Sequence, residues 1–453
     1  MALPVIAIFD IGKTNKKRLL FNEQYRIVDE QAVQFEEISD EDGESCEDID
    51  KLSYWLKYSL EEIVRNKKFD LRAINFSAYG ASLAYVNEAG ETLTPLYNYL
   101  KKYPASLAAK FYETYGGEER ICLETSSPPL GSLNSGLQLY RLKHEQPATL
   151  SMVKYALHLP QFISYLVTKQ AYSDLTSVGC HTALWNFNTD DYHDWLRKEN
   201  LLHLLPPLVS SGTAIPVKEF QNDIIAGIGL HDSSAALIPY LLSHREPFVL
   251  ISTGTWSISL NPFNQSALTI PELHKDCLCN LSFEGSPVKT ARLFAGYQHD
   301  QQVKRLNDHF GKSPGYYKQI QFNPVIATNL KRGLPGSPPI EGRDLSVFQD
   351  FETAYHQLML ELVLKQQQST QLVLNGASVK RIFVDGGFSQ NLVYMHLLAD
   401  AFPELEIFAA SVPQASALGA ALVLHQQWNN QNAYKDLIEL KHFPAGKDVL
   451  FVE

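Results

Sequence analysis

Two strand–turn–strand units, half a chain apart, constrain this sequence more than any other feature. The first runs Val5-Ile6-Ala7-Ile8-Phe9 into Asp10, turns at Gly12-Lys13-Thr14-Asn15 and returns over Lys17 to Phe21. The second runs Phe248-Val249-Leu250-Ile251-Ser252 into Thr253-Gly254-Thr255 and returns over Trp256 to Leu260. A short apolar run that ends in a glycine turn reads as a buried strand opening a hairpin. The spacing is far too long for a solenoid, so the pair predicts a duplicated domain.

The intervening chain alternates as an α/β protein does. Asp48 to Arg65 has helical apolar spacing through Leu52, Trp55, Leu56, Leu60 and Ile63; a strand over Arg72 to Phe76 and a return over Ser82 to Val86 follow. Towards the C-terminus, a long helix over Phe348 to Gln368 precedes a strand at Arg381 to Val384, a turn at Asp385-Gly386-Gly387 and a helix from Asn391. A last helix spans Ala415 to Trp428, where Ala417, Gly419, Ala420 and Ala421 permit close backbone approach. Acidic Ser39 to Asp48 reads as a solvated loop, and the Pro/Gly-rich stretch Gly311 to Arg343 as a surface excursion. A boundary near Pro239 to Pro247 divides the chain into residues 1–243 and 244–453. The length of 453 residues agrees, since single cores stop growing at roughly 250–300 residues.

Apolar residues at 45% and charged residues at 20% describe an ordinary globular chain. A net charge of −11 disfavours nucleic acid and anionic membrane as partners, because no field attracts a polyanion. A local dipole can still hold one anionic ligand. No apolar stretch approaches the ~18 residues of a membrane span, and Asp10 comes too early for a signal peptide. Cys46, Cys122, Cys180, Cys277 and Cys279 form neither a disulfide framework nor a paired zinc motif, so reduced structural thiols and a cytoplasmic location are expected. A homodimer is permitted but not required.

Three turns and one helix start carry candidate chemistry. Gly12-Lys13-Thr14-Asn15 offers backbone N–H groups, a hydroxyl and an amide beside Asp10, an anion concavity next to a carboxylate suited to magnesium. Thr253-Gly254-Thr255 offers a second donor set. Either tip alone is as well explained by hairpin geometry; together they could grip two sides of a triphosphate. No G-x-x-x-x-G-K-[ST] occurs, so this is not a P-loop. Asp385-Gly386-Gly387-Phe388-Ser389-Gln390-Asn391 lets a flat ligand lie on glycine backbone, with Asn391 as helix cap or ligand contact. In His231-Asp232-Ser233-Ser234-Ala235-Ala236, Asp232 either caps a small-residue helix or acts as general base towards an alcohol.

In order along the chain, five segments resemble those of the FGGY carbohydrate kinases, relatives of actin, hexokinase and the Hsp70 ATPase. They are Phe9 to Asn15; Leu159 to Thr168 with Asp174 to Thr176; His231-Asp232; Ser252 to Ser257; and Asp385 to Asn391 with Ser416 to Ala421. The resemblance implies an α/β fold of two similar ribonuclease H-like (actin-like ATPase) domains with a cleft between them, and ATP-dependent phosphorylation of a ketose with Mg2+. It implies Asp232 as catalytic base and, with Asp10, as metal ligand. Lys13, Thr14 and Asn15 would approach the phosphates from one domain and Thr253, Gly254 and Thr255 from the other. Gly386, Gly387, Gln390 and Asn391 would line the nucleoside pocket. Tyr79, Gly80, His231 and Asp232 would form the sugar side, Tyr79 either stacking on the ring or filling core.

The His-Asp pair before Thr-Gly-Thr-Trp-Ser is similar to rhamnulokinase and fuculose kinase-like members, which implies a 6-deoxy ketohexose such as rhamnulose or fuculose. A pentulose or glycerol is the alternative, and a non-catalytic actin-like nucleotide switch a distant one. Three positions depart from the family pattern: Lys13 replaces a small hydroxylated residue, Asn98-Tyr99-Leu100-Lys101-Lys102 lacks the acid of an Asp-x-Arg segment, and Gln161 replaces an aspartate.

Overall fold

A computed structural model describes residues 2–220, 223–333, 339–412, 414–431 and 437–446. Val5 to Phe9 are fully buried in β1 (Leu3–Ile11), the centre of the first sheet. It pairs antiparallel with β2 (Lys16–Asn22), which pairs antiparallel with β3 (Ile27–Val33). The cap residue Asp48 accepts the Lys51 N–H at 2.9 Å and starts α1 (Ile49–Arg65), which buries the predicted stripe from Leu52 to Ile63. β4 (Phe69–Ala78) runs parallel to β1. β5 (Leu83–Val86) does not return onto β4; it pairs with β6 (Tyr155–His158), which leads into α2 (Leu159–Thr168). The reason is that both edges of β4 are taken, one by β1 and the other by β8 (Ile225–Gly227) and β9 (Leu230–His231), with β7 (Ala214–Pro216) outside β8.

From β9 the chain enters α3 (Asp232–Ser243) and starts a second seven-stranded sheet. Its elements are β10 (Phe248–Thr253), β11 (Ser257–Asn261), β12 (Cys277–Leu281), β13 (Pro287–Leu293), α4 (Ala295–Phe310), α5 (Pro324–Gly333), α6 (Phe351–Leu374), β14 (Arg381–Gly386), α7 (Leu392–Ala401), β15 (Glu406–Ser411), α8 (Ala415–Leu422), α9 (His425–Trp428) and β16 (Glu439–Phe443). The two sheets share a plan. An antiparallel meander (β1-β2-β3; β10-β11-β13) lies on one side of the central strand, and a parallel strand (β4; β14) on the other. This is the expected α/β duplication. Among the described residues, no helix is long and apolar enough to cross a membrane.

Helices α3 and α8 lie in a core that joins Ile6, Ile8 and Leu19 of the first sheet to Phe248, Leu250 and Phe383 of the second. Pro239 sits inside α3 and has no N–H for the Ala235 carbonyl one turn earlier. That carbonyl is where α8 comes closest: a Cβ on Gly419 would overlap the Ala235 oxygen. The freed oxygen and the missing side chain are therefore complementary, and they let α3 and α8 pack closely.

Four other expectations change. The helix from Ala415 to Trp428 is two, α8 and α9, because the chain turns at Val423 and Leu424 to bury Leu424 and Trp428. The long helix is displaced to Phe351–Leu374, where Asp350 caps it through the Thr353 N–H at 2.8 Å. Ser39 to Asp48 is not merely solvated: Ile38–Ser39 pairs with Ser45–Cys46, Asp40 meets Lys101 and Glu47 meets Lys16, so two of its acids are buried against lysines. Within Gly311 to Arg343, α5 forms and Tyr316, Ile320 and Phe322 pack on the second core; residues 334–338 of that stretch lie outside the described residues.

Candidate active site

Strand register assembles the site. Along β4, Ser77 lies beside both Asp10 of β1 and Leu230 of β9, and Ala78 beside both Ile11 and His231. Asp10 and Asp232 thus leave strands two places apart at the same sheet edge, about 10 Å between backbones at ~4.8 Å per strand. Their carboxylates sense each other. Asp10 accepts a hydrogen bond from Ser416 Oγ at 2.9 Å, from the start of α8. Burial pushes its carboxyl up to about 6; the Ser416 bond opposes this and the Asp232 charge adds to it.

Asp232 is the first residue of α3 and not its cap; extended His231 holds the cap position. The capping alternative is corrected on that ground, since β9 ends at His231 and fixes where the helix can begin. Asp232 Oδ1 accepts the Ser233 N–H at 2.6 Å, and its side chain keeps 35% exposure. His231 Nε2 lies 3.3 Å from that carboxylate, while its buried Nδ1 has no partner. Burial holds the His231 ring below the usual imidazole range, the Asp232 charge opposing it. Gly80 allows this packing: a Cβ there would stand 2.8 Å from His231 Cδ2. Tyr79 is buried and donates its hydroxyl to Glu47, the partner of Lys16, so its side chain fills core beside the site.

The first turn is closed by the Gly12 N–H on the Asn15 carbonyl at 2.9 Å. Thr14 and Asn15 are exposed, and the Asn15 side-chain oxygen accepts from Gln34 at 2.8 Å. Lys13 pairs with Glu37. In the second turn Gly254 and Thr255 are exposed, but Thr253 is buried: its hydroxyl donates to the Asp385 carbonyl and accepts the Phe388 N–H at 3.0 Å. Gly386 has φ +83°, and a Cβ there would overlap the Thr253 carbonyl oxygen, so only glycine fits. Gly387 and Gln390 are exposed on the same turn. Asn391 caps α7 through the Tyr394 N–H at 3.1 Å and donates to the Tyr355 hydroxyl at 2.7 Å. Of the departures, Lys101 bridges Asp40 and Asp42, Lys102 is exposed, and Gln161 donates to the Gly229 carbonyl at 2.9 Å.

Both halves meet at a cavity of about 330 Å³ lined by Asp232, Ser233 and Ala236 on α3, Ser252, Asp385 and Gly386 on the second sheet, and Val412, Gln414, Ala415 and Ser416 ahead of and within α8. Ser252, Asp385, Gln414 and Ser416 are additions to the residues singled out from sequence. Ser252, Asp385 and Ser416 stand inside the motif segments, whereas nothing local marks Gln414, which accepts from Lys17 at 2.8 Å across the chain. The carboxyl of Asp385 is also raised by burial. Buried Asp10 feels the charge of the partly exposed Asp232 at the same strand ends, and two carboxylates so placed suit a hard divalent cation. The open Gly386-Gly387 surface opposite suits a flat nucleotide.

Comparison with known proteins agrees with this architecture. Residues 5–237 match the N-terminal domain of the FGGY family of carbohydrate kinases, and residues 245–432 match the carbohydrate kinase FGGY C-terminal domain. A rhamnulokinase from Mannheimia succiniciproducens is 24% identical, with 98% of this chain and 94% of its own length aligned. A carbohydrate kinase from Novosphingobium aromaticivorans superposes with TM-score 0.80 at 21% identity, covering 98% of this chain and 95% of that one. Ligand-bound xylulose kinase from Lactobacillus acidophilus gives TM-score 0.80 at 16% identity, covering 98% and 94%.

Proposed function

The chain belongs to the FGGY family of carbohydrate kinases, phosphotransferases with an alcohol acceptor, and from that premise we propose that it transfers the γ-phosphoryl group of ATP to a hydroxyl of a 6-deoxy ketohexose such as rhamnulose or fuculose. The observation that carries the reading is the partly exposed Asp232, aimed into the shared cavity by the Ser233 N–H and flanked by His231. Asp232 takes the proton as the sugar oxygen forms its bond to the γ-phosphorus, and the bond from that phosphorus to the bridging oxygen breaks to release ADP. Asp10 and Asp232 would hold Mg2+, which would supply positive charge to the phosphates. Ser416 orients the Asp10 carboxylate, Gly254 and Thr255 face the phosphates, and Gly386, Gly387 and Gln390 form the nucleoside side. His231 and Gly80 shape the sugar side. The similarity to a rhamnulokinase supports the choice of sugar. Residues 1–243 and 244–453 act as two bodies that close on the ligands, with the crossing after α3.

A coupled ADP-release assay over rhamnulose, fuculose, xylulose, ribulose and glycerol tests this. One methyl in an apolar pocket is worth about 1–3 kcal/mol, so a deoxyhexulose should lead in kcat/KM by roughly 10- to 100-fold with cross-reactivity. A clear lead for a pentulose or glycerol rejects the sugar.

A further inference from the structure

Behind the Asp232 carboxylate lies a group of a different chemical kind. Cys180 Sγ and one ring nitrogen each of His181 and His231 lie within 4.8 Å of one another, and among the described residues this is the cluster of potential metal ligands. One nitrogen of each histidine lies near an oxygen. His181 Nδ1 lies 3.1 Å from the Leu133 carbonyl, an acceptor only, so Nδ1 donates and Nε2 keeps a lone pair. His231 Nε2 lies 3.3 Å from Asp232 Oδ1, and its Nδ1 is buried and without a partner. A bond such as that of His181 orients a metal-binding imidazole. Cys180 is 2% exposed, and its thiol donates to the Ser177 carbonyl at 3.2 Å. Gly80 keeps the space clear: a Cβ there would stand 2.8 Å from His231 Cδ2 and 3.1 Å from Cys180 Sγ.

We propose that Cys180, His181 and His231 form a site for a thiophilic divalent cation, Zn2+ foremost, and that filling it inhibits the kinase by withdrawing His231 from the sugar side. Bonds of about 2.0–2.3 Å to tetrahedral zinc set ligand atoms roughly 3.3–3.8 Å apart, so the cluster closes by about 1 Å through side-chain rotation. Three protein ligands leave one position open. The sulfur and imidazole donors select against magnesium, which takes oxygen ligands, so the two ions occupy different places. Binding is not a redox step: the Cys180 thiol loses its proton to solvent and its sulfur bonds the metal. The inhibition rests on the sugar-side reading of His231 above; the metal binding does not.

The test is titration of the metal-free full chain with Co2+, displaced by Zn2+, beside the ADP-release assay at constant MgATP. One Co2+ should bind per chain with a thiolate-to-cobalt charge-transfer band. Cys180→Ser should lose the band, and it and His181→Gln should each weaken Zn2+ binding by at least about 10-fold with melting temperatures near wild type. If Cys180→Ser does not fold, His181→Gln and the wild-type spectrum decide. Zn2+ should inhibit competitively with sugar and be reversed by a chelator, and Cys180→Ser should keep basal turnover yet resist it. Absence of the thiolate band, or unchanged affinity in both variants, overturns the site; binding without inhibition overturns the regulatory half. A chain that turns over no sugar refutes the kinase reading instead, and the cobalt spectrum still reports on the site.

Discussion

β1 and β10 occupy the same place in two sheets of the same plan, yet their ends are equipped differently. In the first sheet the carboxylate is on the central strand, Asp10 beside Ser77 of β4; in the second the pair is exchanged, Ser252 beside Asp385 of β14. The turns diverge as well. That after β1 leaves Thr14 and Asn15 exposed and anchors Lys13 to an acidic segment. That after β10 also exposes Gly254 and Thr255 but is anchored at its base: Thr253 is bonded to β14 and its neighbour Phe388, and Gly296 at the start of α4 is so close that a Cβ would overlap the Gly254 oxygen. A duplicated scaffold has thus become one half that holds charge and another that holds a shape. Substitutions in the charged half should change chemistry, and those in the shaped half should change stability and nucleotide affinity.

The sharpest break in the charged half is Asp232→Asn. Asparagine keeps the size and can accept the Ser233 N–H, so melting temperature and sugar affinity should stay near wild type while kcat falls by about 10²–10⁴. Full activity in a folded preparation removes the base assignment. In the shaped half, Gly386→Ala must move β10 or β14 and adopt φ near +83°, at about 1–3 kcal/mol or more. A lower melting temperature and a KM for ATP raised at least about 10-fold are expected. Gly12→Ala, 3.1 Å from the Asn15 oxygen, should cost about 1 kcal/mol or less, and equal penalties for the two glycines would erase the contrast.

A milder effect is expected from Thr253→Val, which removes both bonds of the hydroxyl and should destabilise by about 1–3 kcal/mol in denaturant unfolding. Thr255→Val, on the exposed tip, should stay within about 0.5 kcal/mol. The charged half also carries a pH dependence. Asp10 titrates near 6 in the fold against 3.8 in a model peptide, so its folded state binds the proton more tightly. Its contribution to stability is therefore full below about 3.8 and is lost as pH rises through 6. Asp10→Asn should melt higher than wild type by a few degrees at pH 8, with the gap closing towards pH 4, while activity is lost. A gap that widens on acidification would contradict the buried-carboxylate account. The smallest signal is closure: X-ray scattering with sugar and a non-hydrolysable nucleotide should give a smaller radius of gyration than the free chain, and an unchanged profile with binding verified would mean a cleft already closed.

Much of this was legible in the residues themselves. Runs such as Val5 to Phe9 and Phe248 to Ser252, each ending at a glycine turn, announce buried central strands because local patterning and turn chemistry agree. Asp48 and the stripe from Leu52 to Ile63 announce α1 for the same reason. The duplication, the three turns, and Asp10 and Asp232 as the charged pair all follow from segments that can be read one at a time. What required the fold is whatever depends on distant partners. Asn391 could be read as cap or contact, and only the approach of Tyr355 on α6 accounts for the other side of its amide. The fate of Thr253 depends on β14, more than a hundred residues away. Ser39 to Asp48 looks solvated until Lys16 and Lys101 are brought beneath it. Gln414 and the grouping of Cys180 with His231 leave no local trace at all. Hydrophobic period and turn residues are short-range signals, whereas pairing, burial and the charge felt by a carboxylate are set by which chain segments pack together. Asp10 is therefore nameable from sequence, but its raised proton affinity belongs to the packed molecule.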